Sequence, residues 1–116
     1  MAESLTPYCP YYHRAVGIIT RRWTPEIVRV LMAGTARFGE IRASIPGLSD
    51  RLLSERLKDL EAEGLVTRSV TPETPVLIEY RLTEKGLALS SIVKEIAAWA
   101  EDWLNPQPAA AEAVAD

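Results

Sequence analysis

The four residues Ile45-Pro46-Gly47-Leu48 constrain the fold more than any other part of this chain of 116 residues. Pro46 disfavours helical backbone at Ile45, and Gly47 takes a positive φ without a Cβ clash. A helix that follows Arg37 and Phe38 therefore stops near Ser44. A second restarts at Ser49, whose hydroxyl can accept from the orphan amides of the next turn. Projected at about 100° per residue, Leu52, Leu53, Leu57 and Leu60 fall within one arc, and Arg51, Ser54, Glu55, Lys58 and Ala62 fall opposite. The leucines face a core and the other side faces out.

Gly64 is a helix stop, after which Leu65 to Thr71 reads as a strand and Val76 to Leu82 as another. Val76, Ile78, Tyr80 and Leu82 alternate onto one face of the second. Pro72-Glu73-Thr74-Pro75 forms the tip between them, because neither proline can donate to a ladder. The expected fold is mainly α with a small β-hairpin: a winged helix-turn-helix with flanking N- and C-terminal helices.

Two helices joined by a short glycine turn meet at a steep angle, the arrangement in which the second enters a major groove of DNA. On its outer face Arg51 suits bidentate bonds to guanine, Ser54 suits a base or a phosphate, and Lys58 suits a phosphate. Arg37, Ser49 and Glu55 complete the candidate contacts around this helix. On the hairpin, Arg68 and Arg81 are the phosphate candidates, whereas the tip carries Glu73 and no Lys or Arg, which argues against minor-groove insertion. Taken alone, such helix charges would read as an ordinary solvated face. The adjoining hairpin shifts the balance to a regulator that binds double-stranded DNA.

The net charge of −3 fits a DNA binder only once it is divided along the chain. Residues 1–35 carry +2, residues 36–71 are neutral, residues 72–82 carry −1 and residues 83–116 carry −4. Most of the acidity thus sits away from the expected DNA surface. The recognition segment is itself neutral, so its non-specific affinity should be modest and strongly lowered by salt. The length suits one domain. No apolar run approaches the length of a membrane span and no export signal is read, so a cytoplasmic protein is expected. One cysteine and one histidine leave no disulfide framework and no metal cluster. No Ser-His-Asp set or phosphate loop suggests an enzyme, and no cofactor is expected.

Pro10 to Ile19 resembles a short first helix, and Thr24-Pro25 resembles an N-cap followed by a proline at the first helical position, opening a helix that ends near Gly34. Thr83 is the expected N-cap of one long last helix, in which Leu89, Ile92, Val93, Ile96, Trp99, Ala100 and Trp103 recur at three- and four-residue steps. That stripe is richer than a monomer's terminal helix requires, and a homodimer is expected through it. The alternative is that it packs only on its own core. Asn105 to Asp116, rich in proline and alanine, is expected to be a disordered tail. The expected organisation is an extension over residues 1–8, a domain over 9–104 and the tail over 105–116.

Several short motifs in this order form a family pattern: Cys9-Pro10, Trp23, Arg37-Phe38 with Glu40 and Ile41, and Pro46-Gly47-Leu48-Ser49. It continues through Leu53, Leu57, Leu60-Glu61, Gly64-Leu65-Val66, Arg68, Pro75, Glu79-Tyr80, Leu82-Thr83 and Gly86. From about Cys9 to Leu104 the chain resembles the HxlR-type branch of the winged-helix transcriptional regulators, relatives of the MarR group. The resemblance implies a dimeric bacterial or archaeal regulator of an inverted repeat near a promoter. The helix Ser49 to Glu63 would lie in the groove, the hairpin would be the wing, and the first and last helices would build the dimer. Recognition helices in successive major grooves would stand roughly 34 Å apart. The chain departs from the pattern at Thr20-Arg21-Arg22-Trp23, where relatives more often carry glycine-lysine before the tryptophan, and in a wing poor in basic residues.

Cys9 matches the amino-terminal cysteine that some family members use as a thiol switch. Switching requires a thiolate that oxidants can reach, which nearby His13 or Arg14 would favour, and a place at a two-fold interface would allow a bridge between two copies of Cys9 or a mixed disulfide with a small thiol. The alternative is an unreactive, partly buried cysteine. A rival means of control is a small hydrophobic effector between the first and last helices, where Tyr11, Tyr12, Trp23, Trp99 and Trp103 would line an aromatic pocket; such clusters also serve simply as core. The alternative to DNA binding is a winged-helix module that binds protein.

Overall fold

The computed structural model describes residues 6–106; the parts of the expected extension and tail beyond them lie outside the described residues. Helix α1 (Pro10–Ile19) opens on a proline whose missing N–H and preset φ suit a first turn. It closes where the backbone N–H and the hydroxyl of Thr20 both donate to the Val16 carbonyl, at 2.9 and 2.7 Å. No residue of α1 is buried.

Helix α2 (Thr24–Leu31) corrects the expected cap by one residue. Trp23, in the left-handed region at φ 76°, is the capping position, and Thr24 is already helical and buried. The cause is a tight reversal of the chain, closed by the Thr24 N–H on the Arg21 carbonyl at 3.0 Å. From α2, Ile27, Val28 and Leu31 enter the core.

The two-residue strand β1 (Ala36–Arg37) leads into α3 (Phe38–Ser44), whose first turn is closed by the Arg37 N–H donating to Glu40 Oε1 at 2.7 Å. Gly47, at φ 88°, turns the chain as expected, and Ser49 Oγ accepts from the Leu52 N–H at 3.1 Å to open α4 (Asp50–Ala62). Leu53, Leu57 and Leu60 are buried and Leu52 is half-buried. They meet Ile41, Ile45 and Leu48 from the preceding helix and turn, and Ile27, Val28 and Leu31 from α2. One apolar cluster therefore fixes the angle between α3 and α4.

Strands β2 (Val66–Thr71) and β3 (Leu77–Leu82) pair antiparallel, with Val66 opposite Leu82 and Thr71 opposite Leu77. Each starts one residue later than expected. Leu65 is drawn out of β2 because its N–H bonds the Leu60 carbonyl at 2.9 Å, closing the end of α4, and Val76 is exposed beside the tip. Tyr80 and Leu82 are buried and Ile78 is half-buried, as the alternation requires. Strand β1 pairs with the free edge of β3, Ala36 opposite Tyr80 and Arg37 opposite Glu79, giving the order β1-β3-β2.

The single long last helix is a second correction. Thr83 does cap, its Oγ1 accepting from the Gly86 N–H at 3.1 Å, but the helix it opens is only α5 (Glu84–Leu87), and α6 (Ser90–Trp103) follows separately. The Leu89 N–H reaches the Gly86 carbonyl at 3.0 Å, a three-residue bond that tightens the chain between them. Val93 alone in α6 is buried, against the core.

Candidate nucleic-acid interface

The exposed side of α4 is built by the same leucine register that buries its other side. Arg51 extends into solvent, its side chain 87% exposed, with Glu55 and Lys58 exposed beside it and Ser54 partly covered. Arg51 Nε lies 3.4 Å from Glu55 Oε2. Across the turn, Arg42 Nε donates to Asp50 Oδ1 at 2.8 Å, tying α3 to the first residue of α4. Arg37, at the end of β1, stands 3.9 Å from Glu40. Lys58, Arg68 and Arg81 are exposed and form no ion pair among the described residues. The wing tip, residues 72–75, is fully outside the core and offers an anion only Glu73.

Sequence reasoning missed the side of α4 that is neither leucine nor outward. Arg56, its side chain 16% exposed, donates through Nε to the Arg22 carbonyl at 2.7 Å and lies 3.3 Å from Asp59. Asp59 also holds Arg21 at 2.9 Å, and Glu63 holds Arg14 of α1 at 3.0 Å. Residues 56, 59 and 63 thus form a polar stripe that fastens the helix to α1 and to the corner before α2. The signal for it was the three-residue spacing of Arg56 and Asp59, opposite charges beside the leucines.

The residues expected at a dimer interface divide in the isolated chain. Val93 is buried and Leu89 half-buried, whereas Ile92 and Ile96 are exposed, Trp99 is 58% exposed and Trp103 is 74% exposed. Tyr11, Tyr12 and Val16 of α1 are exposed as well.

The five aromatics expected to line one effector pocket are not brought together within one chain. The indole edge of Trp23 packs over Gly47, 3.6 Å from where a Cβ would stand, and its Nε1 is buried without a hydrogen-bond partner. Trp23 borders a cleft of about 690 Å³ with Val30 of α2 and Ile45. Tyr12 borders a different cleft, of about 760 Å³, with Tyr8, Cys9, His13 and Val16, and Trp99 and Trp103 line neither. Cys9 is half-buried, directly before α1; Arg14 turns away to Glu63. Among the described residues no helix is long and apolar enough to cross a membrane.

Comparison with known proteins places this geometry. The model of the HxlR-like helix-turn-helix family matches residues 18–108. The chain is 55% identical over 98 residues to the HTH-type transcriptional regulator YvaP of Bacillus subtilis (strain 168), covering 84% of this chain and 91% of that one. It is 46% identical over 98 residues to the HTH-type transcriptional regulator YodB of the same organism, covering 84% and 88%. The solved structure of reduced YodB superposes with a TM-score of 0.74 at 45% identity, covering 85% of this chain and 97% of that one. Structures of diamide-treated and quinone-bound YodB superpose with TM-scores of 0.71 each, at 44% and 42% identity, covering 87% and 83% of this chain and 100% of theirs. The chain therefore belongs to the HxlR-like helix-turn-helix family of DNA-binding transcriptional regulators.

Proposed function

We propose that the protein is a homodimeric regulator that reads an inverted-repeat operator, with α4 in the major groove and the β2–β3 wing along the flanking backbone. The observation that carries this reading is the outer face of α4. A helix capped by Ser49, packed on the core by its leucines and fastened by Arg56, Asp59 and Glu63, presents Arg51, Ser54 and Lys58 together, beside a hairpin bearing exposed Arg68 and Arg81. Arg51 is the guanine-reading candidate; Arg37, Lys58, Arg68 and Arg81 serve phosphates, and Ser49 positions the helix end.

Dimerisation is supported by the apolar surface of α1 and α6. Tyr11, Tyr12, Ile96, Trp99, Trp103 and Leu104 are all at least half exposed, a large amount of apolar side chain to leave to water. Control through Cys9 is supported by its place in the lining of the Tyr8–Val16 cleft and by the diamide-treated and quinone-bound forms of YodB. In this reading an oxidant or an electrophilic ring reaches the thiolate and alters the relation of the two subunits. Tyr12, beside Cys9, is the aromatic placed to meet such a ligand.

Binding of the reduced protein to random duplexes at moderate salt, with sequencing of the bound fraction, tests the reading. Enrichment of an inverted repeat that Arg51→Ala abolishes is the expected result. Binding without any enriched sequence, by a folded dimer, would instead favour a protein-binding module.

A further inference from the structure

The carboxylate of Glu55 has no structural task, although it stands at the centre of the face turned toward DNA. Asp50, the other acid on this part of α4, is accounted for twice: it lies at the positive end of the helix and accepts from Arg42 across the turn at 2.8 Å. Glu55 lies in the middle of the helix, and its ion pair is with Arg51 at 3.4 Å, both groups open to water. With the arginine preceding the acid by four residues, the pair has the less favourable of the two orders along a helix, so helix stability does not explain it. Against DNA, a carboxylate meets the repulsion of the phosphates. It is tolerated where it accepts a hydrogen bond from a base amine, and the amine of cytosine N4 is the acceptor-seeking group that acids read in the major groove.

We propose that Glu55 is a specificity-determining residue, which accepts from a cytosine amine in each half-site while Arg51, one turn before it, donates to a neighbouring guanine. The inference rests on the reading of α4 as the recognition helix. The contact of the two side-chain tips sets their targets side by side, so each half-site carries a guanine and a cytosine at adjacent base-pair steps. Away from such a site the same carboxylate holds Arg51 back from phosphates. The pair, neutral as a whole, thereby lowers binding to every other sequence.

The test compares wild type, Glu55→Gln and Glu55→Ala in the random-duplex selection, and then measures affinity for the selected operator and for a scrambled duplex across a salt series. Glu55 is exposed, so both variants should keep the wild-type circular dichroism. The expected result is a wild-type motif with cytosine at one half-site position, and loss of that preference, by about tenfold, in both variants, with the remaining positions unchanged. Affinity for the scrambled duplex should rise, and its log–log salt slope should steepen by roughly 2 per dimer as each freed Arg51 gains a phosphate. If wild type and both variants select the same motif with the same discrimination, Glu55 does not read DNA while the recognition-helix reading stands. If wild type selects no motif, both fall together.

Discussion

Replacing Gly86 by alanine adds one methyl group to the protein, and the structure assigns that methyl no room. An ideal Cβ there would overlap the Leu65 carbonyl oxygen and stand 3.1 Å from both Leu65 C and Leu82 Cδ2. Two of these neighbours are backbone, so no side-chain rotation relieves the clash. The same Leu65 oxygen accepts from the Thr83 N–H at 3.0 Å, and the Thr83 hydroxyl donates to the Gly64 carbonyl at 2.6 Å. Moving α5 away therefore breaks the joint between the end of α4, the base of the wing and the Thr83 cap. Overpacking of this kind costs about 1–3 kcal/mol, and a lost cap about 1 more. At roughly 4–8 °C per kcal/mol for a domain of this size, the melting temperature should fall by about 8–32 °C. Differential scanning calorimetry at fixed subunit concentration measures it, since association would otherwise shift the midpoint. Gly39→Ala is the matched control: within α3, nothing lies within 4 Å of its Cβ position, so the same methyl should leave stability unchanged or raise it by up to ~1 kcal/mol. Equal midpoints for the two variants would refute the packing argument.

Ser49→Ala removes the acceptor of the Leu52 N–H and should destabilise the fold by about 1 kcal/mol in urea titration, with weaker operator binding as the first turn of α4 frays. Ile96→Glu places a charge on the exposed stripe of α6; light scattering should find a dimer for wild type and a folded monomer for the variant, and a dimer surviving in the variant would exclude this face. Cys9→Ser should leave operator affinity of the reduced protein within about twofold yet abolish its loss on diamide treatment, read by fluorescence anisotropy. An equal response of both proteins to diamide would remove Cys9 from the mechanism.

The helix-turn-helix was legible because its punctuation is local. Pro46, Gly47 and Ser49 act through their own φ angles and hydroxyl, and the leucine spacing of α4 needs no knowledge of its partner. What escaped the sequence depended on distant residues. Strand β1 is two residues long, too short to show a period, and exists because Tyr80 and Glu79 lie opposite it. The break between α5 and α6 carries no proline and follows a glycine whose role is close packing on Leu65; the apolar period runs straight through it. Arg56 showed no outward sign of its bond to a carbonyl 34 positions away. The aromatic residues were readable as apolar, yet their grouping was not, because Trp23 serves the Gly47 turn while Trp99 and Trp103 remain on the surface.

Strand β3 lies between β1 and β2, and β1 runs directly into α3. One backbone ladder therefore joins the wing to the strand that leads into the helix-turn-helix. The distance between the base-reading side chains and the wing arginines is set at folding, like the gap between two teeth cut on one comb. In the proposed dimer, a signal arriving at α1 has only the spacing and tilt of two such combs to alter. Control of this kind should appear as a changed tolerance for the spacer between half-sites, with the sequence preferred inside each half-site left as it was.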